Sequence, residues 1–501
     1  MRALLAFLLI VVTALACNRL NPTPTLIPTI IPSATQAVPA TEQVETVEPL
    51  DPDAGSSGLG DSLFPGFGNG GYDVTHYTLD ITVNDVSTSD LTARTTIEAK
   101  ATQTLSSFNL DFVGFEISDI SIDDIAAEFE RDGQELTITP STPLEENQSF
   151  TVTIEYSGSP DRFVSKSIPF PTGWVRFEGG SYVLSEPDGA ASFFPTNDHP
   201  LDKASYTFRV TVPEPFEVAA NGVLIETVDN GDTNTFLFEA RDPMASYLTT
   251  INIDEFDIET MESETGTPIR NYYATGLPEG MRKPFARQGE MIDYFGELFG
   301  PYPFEIYGSL VLDAQFGAAL ETQTLSVYGR DMVSENYVEG TELVVAHELA
   351  HQWFGDSVSV ADWRDIWLNE GFATYAEGLW VEHRDGREAL DAWIKSRYLT
   401  LVGMREGVTP PGKPTARSLF NGGVYYWGGI TLHALRLEVG DDVFFEILRT
   451  YQERYKGSNA TTDGFIAIAE EVSGKDMHVF FENWLYSEKI QPIPELGLTA
   501  D

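Results

Sequence analysis

The 501-residue chain reads as a multidomain α+β protein, with an N-terminal antiparallel β domain followed by a mixed α/β and then helical domain. Two patterns and the break between them predict this. From Tyr72 to about Asp254, apolar residues alternate with polar ones, the period of strands with one buried face. Tyr77, Leu79, Ile81 and Val83 form one such run. Phe150, Val152, Ile154 and Tyr156 form a second, and Tyr206, Phe208, Val210 and Val212 a third. After Asp254 a mixed stretch runs to Tyr328, and beyond it apolar residues recur at helical spacing.

Residues 1–17 read as a signal peptide: Arg2, an apolar run from Ala3 to Ala16, then Cys17. The run is too short for a comfortable membrane span. Residues 13–17 resemble a bacterial lipobox, with Ala14 where that pattern usually has Leu. In that pattern the cysteine becomes the first mature residue and carries lipid. Cys17 is therefore the expected anchor, and the protein is expected outside the cytoplasm on the cell membrane, or secreted if Cys17 is not lipidated. As the sole cysteine, Cys17 permits no intrachain disulfide.

Residues 18–71 read as a tether, dense in Pro, Thr and Ser up to Pro52 and rich in Gly from Gly55 to Gly71. The β domain spans 72–254, with turn signals at Asp132-Gly133, Asn221-Gly222 and Asn230-Gly231. The second domain spans 255–490. Helices are expected at residues 342–354, with Gly355 as a stop, and at 367–382, 429–439, 442–455, 463–472 and 476–486. Residues 491–501 form a tail. Thirty basic against 77 acidic residues give a net charge of −47. So few basic side chains argue against nucleic-acid binding, and the excess charge favours solubility.

His347-Glu348-Leu349-Ala350-His351 fits the pattern HExxH. On a helix, residues four apart share a face, so both imidazoles can converge on one ion, with Glu348 placed to take a proton from metal-bound water. Glu370 lies on the next expected helix and can return a carboxylate to the same ion. Two His and one Glu leave a fourth position open, as a catalytic zinc site requires, whereas a structural site is usually closed by four ligands. The ligand chemistry predicts one zinc ion on His347, His351 and Glu370, although other divalent ions also fit two His and a carboxylate.

Three motifs, HELAHQWFGD at residues 347–356, WLNEGFATY at 367–375 and FGAALETQT at 316–324, resemble those of the aminopeptidase N family of gluzincin peptidases, which includes the leukotriene-hydrolase branch. The resemblance covers residues 72–486 and implies a thermolysin-like catalytic domain. It implies further that Glu321 grips the free amino terminus of a peptide and that Glu186 is a second amine contact. Gly317 and Ala318 would touch substrate backbone, and Tyr425 would hydrogen-bond the tetrahedral oxyanion. Three positions depart from the family pattern: Thr322 stands for Asn, Leu184 for Gln two residues before Glu186, and Trp427 for Lys. Many relatives also carry a large C-terminal helical domain over the site, so here the expectation is a more open site, or one closed by another subunit.

The expected activity is hydrolysis of the bond next to a free peptide amino terminus, with Glu348 as general base. The alternatives are a less restricted metallopeptidase and an inactive surface peptide-binding module on the same scaffold.

Overall fold

The computed structural model describes residues 53–404 and 408–499. Cys17, the signal-like segment and the Pro-rich part of the expected tether lie outside the described residues. The alternating runs form strands. Lys203–Pro213, Tyr72–Asp85, Asp90–Ala101 and Ser149–Gly158 lie side by side in an eight-stranded sheet. Glu116–Ile122 and Ile125–Ala126 extend it at one end, Thr233–Ala245 and Val223–Asp229 at the other. All twelve residues of the three expected runs are buried, and the Tyr77 and Tyr206 rings stack 5.0 Å apart. The sheet is antiparallel except between Tyr72–Asp85 and Lys203–Pro213, which run parallel, with His76 opposite Ser205.

A five-stranded sheet of Glu217–Ala220, Ile251–Asp254, Ser181–Leu184, Pro171–Arg176 and Phe163–Val164 completes most of this domain. Asp132-Gly133 and Asn230-Gly231 turn hairpins. Asn221-Gly222 does not: it carries the chain from Glu217–Ala220 in one sheet to Val223–Asp229 in the other.

The expected tether stops short of residue 71. From Asp53 the chain lies against the folded body, with Asp61, Phe64 and Asn69 buried. The glycines here permit close contact instead of freedom. A Cβ on Gly55 would fall 2.6 Å from the Gly70 carbonyl oxygen. Asp61 is the hub of this strap. Its carboxylate accepts from the backbone N–H of Leu63 (2.8 Å), Phe64 (2.7 Å) and Trp363 (2.7 Å), and lies 3.3 Å from His199 Nε2. Burial would raise the Asp61 pKa, but these donors outweigh it and hold the carboxyl below its usual range. Next to it, the Ser62 N–H and hydroxyl donate to the Asp362 carboxylate at 3.0 and 2.7 Å.

Between Asp254 and Phe256 the chain changes sheets. Phe256–Glu262, Pro268–Ala274, Ser309–Leu312, Ser326–Gly329 and Ala319–Leu320 form a mixed sheet in that order, so Ala319–Leu320 is an edge strand. Eight α-helices occur among the described residues: α1 Gln288–Phe299, α2 Val338–His351, α3 Trp367–Asp385, α4 Arg387–Gly403, α5 Gly428–Val439, α6 Asp441–Tyr455, α7 Thr462–Ser473 and α8 His478–Leu485. The helices α1 and α4 were not expected, although α4 buries Leu390, Trp393, Ile394, Tyr398 and Leu401 at helical spacing.

Candidate active site

The last turn of α2 presents His347 and His351, and the first turn of α3 returns Glu370 to them. Glu370 Oε2 lies 3.2 Å from His347 Nε2 and 3.5 Å from His351 Nε2. Ligands at zinc–nitrogen and zinc–oxygen distances around a tetrahedral ion stand about 3.3–3.5 Å from one another, close to both distances from Glu370 Oε2. Burial alone would raise the Glu370 pKa, yet the two imidazoles overcome it and hold the carboxyl at about 2.

Each imidazole is oriented through its other nitrogen. His347 Nδ1 lies 3.0 Å from Glu377 Oε1, and His351 Nδ1 lies 3.0 Å from the Phe354 carbonyl. Acceptors at both Nδ1 atoms favour the tautomer that leaves the Nε2 lone pairs to a metal. Gly355 lets the chain reverse beneath His351: its φ is 136°, and a Cβ there would lie 3.2 Å from His351 Nδ1.

Glu348, Glu321 and His351 also converge, with one ligand atom of each within 4.8 Å of the others. Burial pushes the Glu348 carboxyl up to about 8, against the pull of both imidazoles. A dication in the triad would work the other way and keep it ionised. Glu321 follows the edge strand, and its turn is held from two sides. Gln352 donates to the Glu321 carbonyl (2.9 Å) and accepts from Thr324 N–H (2.8 Å). Asn221 donates to the Gln323 carbonyl (2.7 Å). Thr322, in the place of the family's Asn, closes the turn by donating its hydroxyl to the Leu325 carbonyl.

Glu186 comes from the other domain, just after strand Ser181–Leu184. Burial, then repulsion by Glu321, drives its pKa well above the usual carboxylate range. Among the described residues neither Glu186 Oε1 nor Glu321 Oε1 has a hydrogen-bond partner. Glu321 Oε1 lies 3.7 Å from His351 Nδ1; buried carboxylate oxygens without hydrogen bonds are costly, and a cation beside them relieves that cost. Gly317, with φ 73°, and Ala318 precede the edge strand, and the Ala318 carbonyl accepts from Gly329 N–H at 3.2 Å.

Tyr425 lies on a single π-helical turn, Gly423–Trp427, that leads into α5. Its ring stacks on His347 at 6.0 Å between centroids. Burial, then the neighbouring Glu370 carboxylate, pushes its hydroxyl well above the usual range, so it is a proton donor at neutral pH. Tyr426 faces elsewhere, under the Arg397 guanidinium at 5.5 Å. A glycine pair brings Tyr425 and Glu370 together: a Cβ on Gly428 would fall 2.9 Å from Gly371 Cα. Gly428→Ala is therefore expected to cost about 1–3 kcal/mol through overpacking and to lower kcat as α5 shifts from α3. Thermal denaturation beside turnover measures both.

Sequence reasoning did not find Glu377, Gln352 or Asn221. Glu377 was within reach, because it lies seven residues beyond Glu370 and so on the same helix face. Gln352 and Asn221 act through backbone groups distant in sequence, which no local pattern reports.

An HExxH helix whose imidazoles meet a glutamate from the following helix, with a second glutamate between them, defines the class of metallopeptidases. The chain matches the Peptidase M1 N-terminal domain over residues 73–248 and the Peptidase family M1 domain over 285–484. The M1 zinc metallopeptidase structure from Deinococcus radiodurans superposes with a TM-score of 0.80 at 32% identity, covering 87% of this chain and 99% of that one. The chain belongs to peptidase family M1. It is 28% identical over 345 residues to aminopeptidase N of Streptomyces lividans and 29% identical over 320 residues to human glutamyl aminopeptidase. Those matches cover 64% and 60% of this chain but only 39% and 33% of the relatives' own lengths.

Proposed function

We propose that the chain is a zinc-dependent aminopeptidase that removes N-terminal residues from peptides. The observation that carries this reading is the pair of carboxylate oxygens without hydrogen bonds, on Glu186 and Glu321, buried beside the His347, His351 and Glu370 triad, the Glu321 oxygen 3.7 Å from His351 Nδ1. They form a seat for an ammonium group next to a hydrolytic centre. Zinc, when held by that triad, supplies the positive charge that polarises a carbonyl and acidifies water. Glu348 accepts a proton from the attacking water and passes it to the leaving amine. The Tyr425 hydroxyl donates to the developing oxyanion. Glu321 and Glu186 pair with the substrate ammonium, which fixes the scissile bond one residue from the chain end. Gly317 and Ala318 offer backbone groups at the sheet edge to an extended substrate. A structure of a mutant of the Deinococcus protein carries a Tyr-Ser-Ala substrate, which supports short peptides as the substrate class.

The test is hydrolysis of aminoacyl-fluorophores and their acetylated forms, with and without chelator. Cleavage of free-amine substrates alone, lost on chelation, is the expected result. Equal rates on acetylated substrates would sink the exopeptidase reading in favour of a less restricted peptidase. Bound zinc without turnover would favour a peptide-binding module.

The sequence around Cys17 supports a lipid anchor that holds this activity at a membrane surface. Cys17→Ser is then expected to move the protein from the membrane to the soluble fraction, and unchanged membrane retention would argue against it.

A further inference from the structure

We propose that Arg397 is a positioning residue that ties the zinc-ligand shell to the oxyanion hydroxyl. The inference deepens the function proposed above and rests on that reading for the role of Tyr425. Arg397 lies on α4, outside every motif that points to the site, and its side chain is 11% exposed. It faces two elements at once. Its Nη2 lies 3.7 Å from Glu377 Oε2, and the other oxygen of that carboxylate is the acceptor 3.0 Å from His347 Nδ1. Its guanidinium also lies over two aromatic rings, Trp393 at 4.5 Å and Tyr426 at 5.5 Å.

Tyr426 sits on the π-helical turn directly after Tyr425, whose ring stacks on His347. One half-buried cation thus closes a circuit: Arg397, Glu377, His347, Tyr425, Tyr426 and back to Arg397. Two separable properties of the guanidinium serve the two arms. Its charge lies 3.7 Å from one Glu377 oxygen and keeps the other directed at His347, which fixes the tautomer and orientation of a ligand. Its planar face holds Tyr426, and through the shared turn it sets where the Tyr425 hydroxyl stands. An ammonium group retains the first property and lacks the flat face of the second.

The experiment compares Arg397→Lys, Arg397→Met, Tyr426→Leu and Tyr425→Phe in the full chain. The zinc dissociation constant is read by chelator competition, and kcat and KM are read at saturating zinc. Arg397→Met is expected to weaken zinc binding about 10–100-fold, the usual cost of disturbing a group behind a metal ligand. It is also expected to lower kcat about 10-fold, short of the ~10²–10³-fold cost of deleting an oxyanion donor outright. Arg397→Lys is expected to restore zinc affinity but not kcat. Tyr426→Leu is expected to lower kcat with zinc affinity unchanged.

Wild-type zinc affinity and kcat in Arg397→Met would overturn the proposal. So would equal losses of both quantities in Arg397→Lys and Arg397→Met, which is what a merely structural arginine gives. If Arg397→Met does not fold, Arg397→Lys and Tyr426→Leu decide the matter by the same split. Tyr425→Phe with wild-type kcat would remove the oxyanion reading and with it the kcat arm, while the zinc-affinity arm still tests the hold on His347 by itself.

Discussion

Glu348→Gln is expected to lower kcat about 10²–10⁴-fold, the span attributable to one positioned general base, while zinc content and thermal stability stay at wild-type values. The split follows from where Glu348 sits. It is next to His347 in sequence but does not belong to the triad of His347, His351 and Glu370, so the amide leaves that triad intact. Gln keeps the shape and volume of the Glu348 side chain, so the variant costs the fold little packing. Steady-state kinetics beside metal analysis and calorimetry checks all three quantities. A kcat within tenfold of wild type in a zinc-loaded variant would remove Glu348 from the mechanism.

Glu321→Gln is the second large effect. An ammonium group left in a buried seat without its counter-charge costs about 3–5 kcal/mol, which lowers kcat/KM for free-amine peptides about 10²–10⁴-fold. Amino-blocked peptides make no such pair, so their slow hydrolysis should change little and the discrimination between the two classes should collapse. Burial, the larger cause, still holds the Glu186 carboxyl above the ordinary range in this variant, but the loss of a repelling neighbour moves it downward. It then retains part of the binding, so the double variant with Glu186→Gln is expected to be worse than Glu321→Gln alone. Unchanged discrimination in Glu321→Gln would place amine recognition elsewhere.

The convergence of His347, His351 and Glu370 was legible because its parts are local: two histidines four apart on one helix, and a glutamate in the first turn of the next. The β and helical halves were legible because period two and period 3.6 each mark a buried face. Partners were not. Alternation in Tyr72–Asp85 says which side is buried, but not that Lys203–Pro213 lies beside it in parallel. Tyr425 and Tyr426 are adjacent and chemically equal on paper, and only the π-helical turn sends one to His347 and the other to Arg397. Residues 55–71 read as free chain because glycine composition reports conformational freedom. It does not report that a backbone without side chains can lie flat on another surface, as Gly55 does against Gly70. The helix carrying Arg397 had its signal in Leu390, Trp393, Ile394, Tyr398 and Leu401, a period present in the sequence but not used.

The strap centred on Asp61 bears on where a working copy of this protein can be cut. A truncation at Tyr72 looks natural, since the first strand begins there and the Peptidase M1 N-terminal domain match begins one residue later. Such a chain keeps every sheet, every helix and every proposed ligand. It would nevertheless strip the acceptor from Trp363 N–H and from His199, both of them buried residues. Trp363 opens the short turn that runs into α3 four residues later, and α3 carries Glu370 and Glu377. A unit that keeps this hub therefore starts at or before Asp61, 12 residues ahead of the recognisable homology, and a recombinant design that trusts the homology boundary would remove the keystone along with the linker.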